Sequence, residues 1–285
     1  MPAESILRSN YREQMDDLGL TRPDSVEGFE YLLYETAAMR WTEEFPPDRP
    51  PEYLFHVDQV DSVAANIVGT SILADDPEVL FRTHELAYTH DLGRAVHMGK
   101  YHPVVGARML EHMQADDAAI DFAVDHHRMG LGLPQLGEYS RAQAAIDYQE
   151  GRSNVDPVLI FHETYGLAGC AVLIADSSKA YTDPDNPNMS RIAPFSEELF
   201  EELMQRQFRL NEENPAKGYA PGSARHRTEI AGRDMILRMI DFLRDQYGID
   251  YIRAIEQSQQ DVPTRDAHVH DMWQEITEQE YAMAA

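Results

Sequence analysis

Apolar positions along the chain recur with a period near 3.6 rather than 2, which predicts helices almost throughout. Phe29, Leu32, Leu33, Thr36 and Met39 mark a helix over roughly 26–42, with Asp24 or Ser25 as its cap. A helical pattern over 5–18 precedes it, across the turn-prone TRPDS. After the proline-rich linker EFPPDRPPEY, His56, Val60, Val63, Ala64, Ile67 and Val68 share one face of a helix over 52–74, with Pro51 suited to its first turn. Further helices are predicted over 77–92, from Tyr101–His102–Pro103 onward, and over 116–125, 155–181, 196–212, 225–246 and 266–280. TDPDNPNMSR reads as a turn-rich loop, and GLGLPQLG as a loop that lacks dinucleotide-fingerprint spacing. No convincing β-period stretch and no repeat appears, so the expected fold is all-α. Residues 1–50 form an N-terminal helical extension, 51–185 the core, and 186–285 a C-terminal helical region packed on it as a single compact unit.

With 285 residues, 43% of them hydrophobic, the chain can bury a sizeable core. A formal charge of −26 argues against extended nucleic acid or an anionic membrane as partner, since phosphate binding needs clustered Lys and Arg. A small phosphorylated ligand remains compatible, because a metal ion supplies positive charge locally. Three lysines (Lys100, Lys179, Lys217) face 50 acidic residues, which fits a salt-adapted host and an ordinary acidic cytosolic protein equally. The single Cys170 excludes an internal disulfide and a cysteine-rich metal site, and its apolar surroundings suit a small buried hydrophobe. No apolar stretch is expected to reach the ~20 residues of a membrane helix, and MPAESILRSNYREQMDD lacks signal-peptide order; a cytoplasmic location is expected.

The chemistry gathers where apolar segments end. Leu86, Ala87 and Tyr88 lead into His90 and Asp91, with Gly93 read as the helix stop. His102 opens a helix, and His126 and His127 close one beside Gly130. Asp176 ends the apolar run GLAGCAVLIAD, where a carboxylate is costly to bury unless a cation or metal pairs with it. Glu52 and His56, four apart, share a helix face. These eight residues (Glu52, His56, His90, Asp91, His102, His126, His127, Asp176) offer nitrogen and carboxylate oxygen without thiolate. That set suits Fe, Mn, Ni, Co or Zn better than Ca or Mg. It exceeds the needs of one tetrahedral ion, so two ions are expected, or three, with Asp91 bridging a pair. Such a pair, roughly 3.5–4 Å apart, holds a hydroxide and polarises a phosphoryl oxygen. His84, His97, His112, His162, His226, His268 and His270 fit no ligand pattern, and HETYG at His162 lacks the second histidine of a zincin.

In order, HVDQV at His56, THDLGR around His90, HPVVGA at His102, DHH ending at His127 and IADSSKAYT around Asp176 resemble the successive motifs of the HD superfamily of metal-dependent phosphohydrolases. Glu52 four before His56, HPVVGA, the His126–His127 tandem, GLGLP from Gly130, and Asp176, Ala180 and Thr182 are similar to the HD-GYP branch, which hydrolyses cyclic dinucleotides. Arg94 stands where that branch usually carries lysine, and the interval from HD to His102 is short, as in nucleotide phosphohydrolases of the superfamily. The resemblance implies an HD-domain helical bundle with added terminal helices, and an enzyme hydrolysing a nucleotide or cyclic-dinucleotide-like phosphate ester through a metal-bound hydroxide. It implies two or three divalent ions, iron or manganese before nickel, cobalt or zinc. The eight residues above become metal ligands, with Glu52 on an outer ion, and Asp91 and Arg94 catalytic. Arg94, Lys100, Arg128 and Lys179 are the cations nearest the substrate phosphate. An HD-type di-iron oxygenase and a non-catalytic nucleotide receptor stay open as alternatives. The basic patch of Lys217, Arg225, His226 and Arg227 either reaches a ligand phosphate or caps the following helix. The added terminal helices either cap the core or form a homodimer.

Overall fold

The computed structural model describes residues 21–41, 45–97, 101–126, 141–178, 180–183, 186–214 and 219–284. Its helices run α1 Val26–Trp41, α2 Glu52–Gly69, α3 Pro77–Thr89, α4 His102–His112, α5 Asp117–Asp125, α6 Arg141–Gln149, α7 Pro157–Ser177, α8 Glu197–Glu213, α9 Ala224–Tyr247 and α10 Tyr251–Ala284, with a 3-10 turn at Leu92–Ala95. The fold is all-α, as expected. The predicted helix over 5–18 and the GLGLPQLG loop lie outside the described residues.

Helix starts follow side-chain chemistry. Ser25 accepts from the Gly28 amide, Asp76 from Glu78 and Val79, Asp116 from Ala119, and Asp156 from Val158. Pro77 and Pro157 sit in first turns, where a missing N–H costs nothing. Each cap satisfies amides that the helix leaves orphaned.

The bundle is built on α2, which packs against α3, α7 and α10. Leu54, Val57, Val60, Val63, Ala64, Ile67 and Val68 are all buried, each of the larger ones contributing roughly 1.5–3 kcal/mol. One face joins a cluster with Leu86, Phe122, Cys170, Val172 and Met239; another joins Phe29, Leu33, Leu110 and Trp273. Trp273 is fully buried, and its Nε1 donates to the Pro46 carbonyl at 3.0 Å. Helices α1 and α10 therefore both close over the core.

Several expectations need correction. The turn-rich TDPDNPNMSR forms most of an antiparallel hairpin, β1 Ala180–Asp183 and β2 Asn186–Ile192, with Ala180 opposite Ile192. The last helix starts at Tyr251 rather than 266 and continues through Pro263, while α6 was not anticipated. The helix over 52–74 ends at Gly69, and that over 77–92 ends at Thr89, because a 3-10 turn takes over after His90 and Asp91. The helical region 155–181 is kinked at Gly166, whose φ of 64° only glycine adopts readily. Contrary to expectation, α7, with 21 residues, is long and apolar enough to cross a membrane. Most of it is buried against α2, α3 and α9.

Candidate metal centre

Three helix ends and one helix start converge. His90 is the C-cap of α3, His126 the C-cap of α5, Asp176 lies in the last turn of α7, and His102 opens α4. His56 approaches from α2. The C-terminal ends carry partial negative charge, so the site favours a cation before any side chain is counted.

Asp91 is the hub and is 1% exposed. Its two oxygens face different partners. Oδ1 lies 2.8 Å from Nε2 of His102 and 3.4 Å from Nε2 of His126. Oδ2 lies 3.6 Å from Nε2 of His56, 3.7 Å from Nε2 of His90 and 2.6 Å from Nε of Arg94. Nε2 of His56 is also 3.2 Å from Oδ1 of Asp176. The donor atoms of His56, His90 and Asp176 lie within 4.8 Å of one another, as do those of His90, Asp91 and His126. Transition metals bind nitrogen and oxygen at ~2.0–2.2 Å, so a small inward movement brings either trio onto one ion.

Two of the donors, His90 and Asp91, also have the right protonation. Nδ1 of His90 lies 2.6 Å from the Ala87 carbonyl, which can only accept, so the proton sits on Nδ1 and Nε2 presents a lone pair. Among the described residues that buried Nε2 has no hydrogen-bond partner. Burial pushes His90 down to about 4, keeping the imidazole neutral. Burial works against ionising Asp91, yet His90, the hydrogen bonds of His102 and His126, and Arg94 hold its carboxyl well below the usual range. A fixed carboxylate among histidines, one with an unused nitrogen, is a donor set that a metal ion fits.

Two glycines bring the halves together. A Cβ on Gly93 would stand 1.9 Å from the His102 carbonyl oxygen and 2.5 Å from the Gly106 nitrogen. The helix does stop just before Gly93, as read from sequence, but the glycine itself is required for close approach of the 3-10 turn to α4 and its φ is not positive. The signal was present as glycines in both THDLGR and HPVVGA, but their pairing is a tertiary fact.

Of the expected ligands, His56, His90, Asp91, His102, His126 and Asp176 come together. Glu52 lies on the first turn of α2 and is exposed, with no ion pair to the cluster among the described residues. His127, Arg128, Lys100 and Lys179 lie outside the described residues. Arg94 reaches the site but donates directly to the Asp91 carboxylate. Sequence reasoning missed Tyr53, one turn before His56, whose buried hydroxyl has no hydrogen-bond partner among the described residues. Burial, and then the charge of Asp91, raise its pKa well above the ordinary value. Several histidines set aside by sequence have structural partners: His84 with Asp61, His162 with Tyr247, His268 with Glu30. The basic patch serves the start of α9, where Arg227 donates to the Gly222 carbonyl and Arg225 stacks on Tyr219; Lys217 is outside the described residues.

No family model, curated protein or solved structure matches this chain. The buried His and Asp groups that can hold a metal ion therefore rest on geometry alone.

Proposed function

We propose that this chain is a metal-dependent phosphohydrolase of the HD type, acting on a phosphate ester of a nucleotide or cyclic dinucleotide. The observation that carries this reading is the division of Asp91, with Oδ1 toward His102 and His126 and Oδ2 toward His56 and His90. That arrangement suits a carboxylate bridging two ions: His56, His90, Asp91 and Asp176 would hold one, and Asp91, His102 and His126 the other. Iron or manganese best matches the donor set. Bound there, such ions supply Lewis acidity toward a phosphoryl oxygen and acidify a water molecule.

The protein's own part is positional. The Ala87 carbonyl locks the His90 tautomer, the 3-10 turn sets Asp91 between the two histidine groups, and burial of His90, Asp91, His102 and His126 keeps bulk water from competing there. Arg94 is half-buried at the rim, and a guanidinium presents donors that match phosphate oxygens.

The test is elemental analysis of protein purified without added metal, followed by hydrolysis of a nucleotide and cyclic-dinucleotide panel. Bound iron or manganese, with metal and turnover both lost in Asp91→Ala, is the expected result. Turnover retained by a metal-free Asp91→Ala protein overturns the reading, and oxygen consumption in place of phosphate release reassigns the reaction class.

A further inference from the structure

Arg94 occupies the oxygen that a metal ion needs. Its Nε donates to Asp91 Oδ2 at 2.6 Å, the same oxygen that faces His56 and His90. Among the described residues it is the permanently charged cation in contact with Asp91. A carboxylate as buried as Asp91 is strongly disfavoured without positive charge beside it. Without a bound ion, Arg94 supplies that charge.

The arm is also able to leave. The Arg94 backbone is pinned by its amide, which donates to the Asp91 carbonyl at 2.8 Å, while its side chain is 31% exposed. The guanidinium can therefore swing toward solvent while the 3-10 turn keeps its backbone bonds.

We propose that Arg94 is an exchangeable counter-ion of Asp91: a metal ion entering between His56, His90 and Asp176 displaces it from Oδ2, and the released guanidinium then turns to the substrate phosphate. This rests on the metal-site reading above and adds an order to it, metal before phosphate. Because guanidinium and metal compete for one oxygen, a ligand that draws Arg94 away must tighten metal binding, and the coupling is reciprocal.

The test compares the wild-type protein with Arg94→Gln by thermal melting and calorimetric titration with manganese alone, then with manganese plus inorganic phosphate. The expected pattern has three parts. Metal-free Arg94→Gln melts below the wild type, because Asp91 has lost its counter-ion. Manganese-loaded Arg94→Gln melts as high as the loaded wild type or higher, with manganese bound about tenfold more tightly or better. Phosphate tightens manganese binding more in the wild type than in the variant.

If Arg94→Gln folds only with manganese present, that is the same pattern at its limit, and Arg94→Lys, which keeps the charge, should then fold without metal. Equal manganese-induced shifts in both proteins, or weaker manganese binding by the variant, overturn the exchange while leaving the metal site standing. Equal loss of stability with and without metal marks Arg94 as merely structural. If neither protein binds manganese, zinc or iron(II), the metal reading fails and the exchange with it.

Discussion

Nε2 of His56 lies 3.2 Å from Oδ1 of Asp176, joining the helix at the centre of the bundle to the end of its most apolar helix. The contact exists because α2 and α7 pack along their apolar faces, so the two side chains meet only once the core is formed. An ion held there links site and core.

If two ions bind as proposed, His56→Ala or Asp176→Asn should therefore remove one metal equivalent and spare the one assigned to His102 and His126. Metal-to-protein ratio by elemental analysis reads this directly. Loss of all metal in either variant would show that the two sides do not load independently.

Gly93→Ala should be severe and Gly106→Ala mild. The first places a methyl 1.9 Å from the His102 backbone oxygen, whereas the second meets nothing nearer than the Gly93 nitrogen at 3.1 Å. Overpacking of this kind costs typically 1–3 kcal/mol, and here it also pushes His102 away from Asp91. Denaturant melts and metal content, measured on both variants, should fall together for Gly93→Ala and scarcely move for Gly106→Ala.

Tyr53→Phe removes a buried hydroxyl with no hydrogen-bond partner among the described residues. Replacing such a group by an apolar one of the same shape is close to neutral or stabilising, so the melting temperature should hold or rise. A fall of several degrees would reveal an ordered water or ion bonded to that oxygen.

His84 provides a pH-dependent contribution away from the ligands. Burial lowers its pKa, but the hydrogen bond at 2.6 Å and the charge of Asp61 outweigh it, and the net shift is upward. A pKa raised on folding above the unfolded value of about 6.5 means the contribution is complete below that value. It is lost as pH rises through the folded pKa. NMR titration of the His84 ring should give a pKa above that of an exposed histidine, and Asp61→Asn should bring it down. An unchanged pKa in Asp61→Asn would show that the pair is not responsible.

Much of the fold was legible locally. The 3.6-residue period at Phe29, Leu32 and Leu33, the cap at Ser25 and Pro103 in the first turn of its helix follow from interactions within one or two turns, and these hold in the structure. The same reading failed where distant contacts decide. The hairpin at 180–192 pairs strands whose residues show no alternation, and α10 runs through Pro263 because Val262, Val269 and Trp273 on either side are buried against the bundle. Asp58 and Asp61, unremarkable in sequence, are buried and paired with Arg265 from α10 at 3.0 and 3.4 Å; burial carries the Asp58 carboxyl up to about 7 even so.

By itself, the sequence determined which side chains are available as ligands, and that His90, Asp91, His126 and Asp176 fall where apolar helices end, since a helix end leaves backbone groups that polar neighbours satisfy. The tertiary structure decided what those donors do. Which Asp91 oxygen faces which histidine, the lone pair left on His90, and the guanidinium of Arg94 on Oδ2 all depend on a few ångströms set by helix packing and by Gly93 against His102. Residue order records composition and local period, but directions in space arise only when the helices are packed.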